Sequence, residues 1–145
     1  MILDPFLVNE SGVFCVESKP VFFGVDATGE WLLSAHGNVC HLKNERCMLH
    51  ALPFLVEMNY SQVHRLEESL SQNIGRGVKP FPVSDLLHQA FCGLVSDYWV
   101  SQVVVWVKSG AMVDERLAGD FAANLNNKAL SQGVRHELKK FLKNT

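Results

Sequence analysis

Five residues of types that bind zinc fall within one stretch of fifteen, HGNVCHLKNERCMLH: His36, Cys40, His41, Cys47 and His50. Zinc takes cysteine and histidine ligands, four at a time, in a tetrahedron. The natural set of four would be His36, Cys40, Cys47 and His50, in a small zinc module that is either structural or catalytic. The spacing argues against it. Six residues separate Cys40 from Cys47, and no C-x-x-C pair occurs. If Val39–Leu42 is a strand, Cys40 and His41 point to opposite faces and cannot share an ion. The competing reading is two buried cysteines acting as small hydrophobes, beside solvated or capped histidines. That reading is preferred, so no metal and no cofactor are expected.

His88 and Cys92 lie four apart, on one face if the segment is helical. A Cys–His pair can generate a thiolate nucleophile. Only Asp85, one turn earlier, is placed to orient the imidazole, and a helix interior lacks the exposed turn a nucleophile prefers. Packing is the expected role. Gly75-Arg76-Gly77-Val78-Lys79 matches neither GxGxxG nor GxxxxGK[ST], and it follows a helical pattern rather than a strand. It reads as a helix end and connector. No GxSxG, HExxH, EF-hand or Rossmann pattern occurs. The carboxylate pairs Glu67-Glu68 and Asp114-Glu115 read as solvated faces. No catalytic residue is assigned, and the chain is not expected to be an enzyme.

The elements that would position these groups follow from periodicity and punctuation. Residues 1–47 are β-rich. Runs at Val13–Glu17, Val21–Val25, Glu30–Ala35 and Val39–Leu42 are separated by Gly, Asn, Asp and Pro turns, which suits an antiparallel meander. Residues 48–145 are mainly helical. Residues 45–60 are ambiguous around Pro53, compatible with a short strand or a first helical turn. Ser61 is a candidate N-cap for a helix with Val63, Leu66, Leu70 and Ile74 on one stripe, ended by Gly75. Ser84 would cap the apolar stretch Ser84–Lys108, whose second part, Tyr98–Lys108, is compatible with strand by the propensity of VVVWV; helix throughout, bent or broken near Ser96, is favoured, with Asp97 able to cap a second part. Asp114 and Ser131 would cap two more helices. In the last, Lys139, Lys140 and Lys143 complement the helix dipole. The expectation is a single α+β domain over 1–145, with the meander packed on a bundle of about four helices. Ser84–Lys108 would form its buried hub.

A chain of 145 residues, 48% apolar and 19% charged, can bury a sizeable core. Its net charge is −2, which gives no support to nucleic-acid binding. The charge is uneven: nine acids and four bases over 1–70, six acids and nine bases over 71–145. Leu86–Val107 is long enough to cross a bilayer, but Asp97 near its middle argues for a soluble core instead. No basic segment opens the chain, and Asp4 and Pro5 interrupt its first residues. With four scattered cysteines, reduced thiols and a cytoplasmic location are expected.

Tyr98-Trp99, the apolar run to Val107, and Leu130-Ser131-Gln132-Gly133-Val134-Arg135-His136 resemble the tail of small bacterial immunity proteins, the cytosolic partners of polymorphic and contact-dependent growth inhibition toxins. The likeness spans about a third of the chain. It implies stoichiometric binding of a cognate toxin domain, a chain that is monomeric when free, and no cofactor. Many such toxins are basic nucleases, which suits an anionic front half. On that basis the expected partner-facing residues are Glu57, Glu67, Glu68 and Glu30, with Trp31 as an aromatic anchor. An adaptor or secretion chaperone is the other binding-protein reading. It would expose a larger apolar surface.

Overall fold

The structure is a computed structural model that describes residues 5–8, 12–18, 21–35, 38–53 and 59–144. It is an α+β protein. Five strands come first: β1 (Pro5–Val8), β2 (Val13–Ser18), β3 (Val21–Val25), β4 (Trp31–Ala35) and β5 (Asn38–His41). They form one antiparallel sheet in sequence order, a meander. The expected strands are present to within a residue or two, and β1 is an addition to them. Six α-helices follow among the described residues: α1 (Glu45–Ala51), α2 (Tyr60–Ile74), α3 (Val83–His88), α4 (Asp97–Lys108), α5 (Glu115–Ala123) and α6 (Gln132–Lys143). The chain divides into two compact units, Met1–Ala51 with Ser61–Pro82, and Leu52–Tyr60 with Val83–Thr145.

In the first unit the register is fixed by hydrophobic pairs such as Phe23 opposite Leu33 and Val25 opposite Trp31. Leu32 and Leu33 are both buried although they point to opposite faces, so β4 is covered on both sides. Phe81, from the connector after α2, stands edge-on to Phe23 and to Trp31, with ring centroids 5.3 and 4.9 Å apart. The indole Nε1 of Trp31 donates to the Lys79 carbonyl at 2.7 Å. Val63, Leu66 and Leu70 are the buried stripe of α2, as the three-and-four spacing requires. The turn Asp26–Glu30 is closed by the Asp26 side chain. Its Oδ1 accepts from the Thr28 backbone N at 2.9 Å, Thr28 Oγ1 at 2.6 Å and the Glu30 backbone N at 3.1 Å.

In the second unit the core holds Leu86, Leu87, Val100, Val103, Trp106, Leu117, Phe121 and Leu138. The apolar stretch is not one helix. α3 ends at His88, a single 3-10 turn covers Gln89–Phe91, and Gly93 takes a positive φ of 70° before α4 begins. The chain is non-helical from Cys92 to Ser96, so the stretch breaks near Ser96 as expected. Ser96, not Asp97, is the N-cap of α4, accepting from Trp99 N at 3.3 Å. Asp97 instead accepts from the backbone N of Ser131 at 2.6 Å. Asp114 and Ser131 cap α5 and α6 as expected, through Leu117 N at 2.8 Å and Val134 N at 3.2 Å. Ser84 is not a cap. It lies inside α3 and donates its hydroxyl to Asp114. That bond, opposed by burial and joined by the Leu117 N–H, holds the Asp114 carboxyl below its ordinary value. Ser61 likewise falls inside α2, which starts one residue earlier.

Candidate functional site

Cys40 and Cys47 are joined by a disulfide, with Cα atoms 6.0 Å apart. Strand β5 delivers Cys40, and the first turn of α1 delivers Cys47, which is buried. Asn44 starts that helix by accepting from Arg46 N at 2.8 Å. The expectation of reduced thiols is corrected here. Strand and helix bring the two sulfurs together across a short turn, within bonding reach of each other. Zinc needs thiolates, so the set His36, Cys40, Cys47 and His50 does not exist as such in this oxidised form. Cys40, Cys47 and His50 do line one cavity of about 400 Å³, with Leu33, Asn38, Asn44 and Arg46. Among the described residues no three His, Cys, Asp or Glu side chains converge as metal ligands. His36 lies outside those residues, and His41 turns to Asp26, with Nε2 3.3 Å from Oδ2. Disulfides persist in oxidising compartments, so the cysteines lend no support to a cytoplasmic location.

The second candidate, His88 and Cys92, is also resolved. His88 Nδ1 lies 2.6 Å from Asp120 Oδ2, on α5. Asp85 is occupied by Arg116, whose charge it stabilises. Cys92 is exposed and directs its thiol to the His88 carbonyl at 3.6 Å. The imidazole–carboxylate pair ties α3 to α5.

The acidic residues expected to face a partner are dispersed in role. Glu30 carries ion pairs to Lys79 and to Lys43, the latter at 3.0 Å, and those hydrogen bonds hold its carboxyl below the ordinary value. Glu67 Oε2 accepts the backbone N–H of Phe81 at 2.9 Å. Glu68 is exposed and lies 2.9 Å from His64 on the same helix face. Trp31 is only 5% exposed, a core residue of the sheet. Glu57 lies outside the described residues.

An exposed surface of a different character lies on the second unit. Leu94 is 98% exposed in the turn before α4, Tyr98 is 52% and Val105 50%. Tyr98 and Val105 are seven apart and share the outward stripe of α4, opposite buried Val100, Val103 and Val104. Tyr98 is braced by Trp99, ring centroids 5.0 Å apart. Met112, exposed, follows the end of the helix. The sequence signal was available: VVVWV is apolar on every face of α4, more than one buried stripe needs. No helix among the described residues is long and apolar enough to cross a membrane. No family model, curated protein or solved structure matches this chain.

Proposed function

We propose that the chain is a non-enzymatic protein-binding protein of the immunity type, which neutralises a cognate protein toxin by stoichiometric binding. The observation that supports this reading most is the outward stripe of α4. Tyr98 and Val105 are half exposed on it, Tyr98 is braced by Trp99, and Leu94 is exposed in the turn just before it; large exposed aromatic and aliphatic groups on a firm scaffold are the usual anchors of protein interfaces. The stretch that resembles immunity proteins, Tyr98 to Val107, is the same helix. The clusters that pointed to chemistry supply none of their own: one pair of cysteines is a disulfide, and the histidine of the other pair is held by Asp120.

The placement of the acidic residues shifts the proposed contact surface. Glu30 and Glu67 are engaged internally, so the anionic attraction left to a basic toxin is carried by the more exposed carboxylates such as Glu68 and acts mainly on the rate of encounter. Affinity would come from the α4 stripe. Co-expression with the protein encoded beside this chain tests the reading: rescue of growth and a one-to-one complex support it, and absence of any complex refutes it.

A further inference from the structure

Four side chains of α6, Gln132, Arg135, His136 and Lys139, recur at spacings of three, one and three, which places them on a single helical stripe. Leu125 and Asn126, in the turn that ends α5, face this stripe, and the six residues line a cleft of about 350 Å³. The cleft is cationic without a counter-charge. The one acid on α6, Glu137, is turned away and pairs with Lys108 at 3.2 Å and with Lys140 at 3.9 Å. Among the described residues no carboxylate is within ion-pair distance of Arg135 or Lys139. Arg135 Nε is also the single buried side-chain nitrogen or oxygen among the described residues with no hydrogen-bond partner. A buried donor left unmade is costly, and two cations one turn apart on a helix repel each other. The repulsion is relieved by an anion in the cleft that accepts from the Arg135 guanidinium and the Lys139 ammonium.

We infer that this cleft is a binding site for a small phosphomonoester. The guanidinium fork matches two oxygens of a tetrahedral oxyanion, Lys139 adds a second full charge suited to a dianion, and the Asn126 and Gln132 amides supply orienting donors. Leu125 gives the organic body an apolar wall. The volume of about 350 Å³ falls within the range of small-molecule sites. The site is independent of the immunity reading. It uses another helix and requires no protein partner.

The test is titration of the isotopically labelled full chain with inorganic phosphate, phenyl phosphate and phenol at constant ionic strength, following the Arg135 guanidinium resonances. The expected result is saturable binding of both phosphates, tighter for phenyl phosphate, with the Arg135 guanidinium signals shifting and no response to phenol. Arg135→Gln should weaken phenyl phosphate binding about tenfold or more, the loss of one charge-assisted hydrogen bond. Lys139→Gln leaves the buried stem of Arg135 in place and should weaken binding several-fold. Lys140→Gln removes the same charge from the other face of α6 and should change it less than about twofold. Equal losses in Lys139→Gln and Lys140→Gln, or unmoved Arg135 guanidinium signals at saturating phosphate, would overturn the site. So would binding confined to a single-stranded oligonucleotide with no response to the monoester.

Discussion

The carboxylate of Glu67 accepts the backbone N–H of Phe81 at 2.9 Å, tying the buried side of α2 to the connector that carries Phe81 between Phe23 and Trp31. Glu67 is thus a structural acid, although its neighbour Glu68 has the same chemistry and is solvated. Reversing both to Lys, the natural probe of an acidic face, would confuse folding with binding. Glu67→Lys should lower stability by about 1–3 kcal/mol, because it removes a charge-assisted bond and leaves a part-buried N–H unpaired. Glu68→Lys should stay within about 0.5 kcal/mol. Urea midpoints of the two single variants check this, and equal midpoints would contradict it.

The Cys40–Cys47 disulfide closes a loop with a sequence separation of 7. Chain-entropy arguments assign such a loop about 2–3 kcal/mol. Reduction with dithiothreitol should therefore lower the urea midpoint of the wild type by an equivalent amount. The Cys40→Ser/Cys47→Ser variant should match the reduced protein and ignore the reductant. Equal stability of oxidised and reduced wild type would show that the bond contributes nothing.

Acid should act through Asp26. Burial pushes its carboxyl up, but donation from the Thr28 hydroxyl, the Glu30 and Thr28 backbone N–H groups and His41 outweighs this and holds it at about 2 against an ordinary 3.8. A carboxyl with a depressed folded value contributes stability that is full above the unfolded value and is lost as pH falls through the folded one. The contribution, up to about 2 kcal/mol, should therefore be present above about pH 4 and gone by about pH 2. Stability measured against pH for wild type and Asp26→Asn checks this. The variant should be less stable at neutral pH, and the two curves should converge in acid.

Two glycines should respond with opposite signs. Gly29 has φ +86°, and a Cβ there would sit 3.1 Å from the Gly77 carbonyl oxygen and 3.3 Å from Val78 Cα. Its own carbonyl accepts from Lys79 N at 3.1 Å, so the connector cannot easily withdraw. Gly29→Ala should cost about 1–3 kcal/mol. Gly119 lies inside α5, and a Cβ added there would meet nothing within 4 Å. Gly119→Ala should gain up to about 1 kcal/mol. Thermal unfolding of both variants decides the matter.

The meander and the capped helices were legible because their signals are local. Gly29 takes a positive φ in the turn between β3 and β4, and Asp114 and Ser131 stand where a cap must stand. The break near Ser96 was legible, but Ser96 and Asp97 are both good caps, and only the tertiary bond from Ser131 N to Asp97 tells them apart. The disulfide was missed because a strand and a helix must first meet before the spacing of Cys40 and Cys47 becomes a distance. Asp120 was invisible as the partner of His88 for the same reason, being 32 residues away. Trp31 read as a surface anchor because an aromatic in a strand carries no mark of which face is covered. The uncompensated charge on α6 was visible only as a basic run, since the direction of Glu137 depends on Lys108.

Binding of a protein toxin by the outward stripe of α4 is tested most directly by titration calorimetry. The adjacent-encoded toxin domain is titrated against wild type and against Tyr98→Asp/Val105→Asp. Both substituted positions are half exposed, so folding should be unchanged. One-to-one binding is expected of the wild type. The variant should lose about 100-fold or more in affinity, as when two anchors are removed, with the same unfolding midpoint. Undiminished binding by the folded variant, or no binding by the wild type, would contradict the assignment of this stripe.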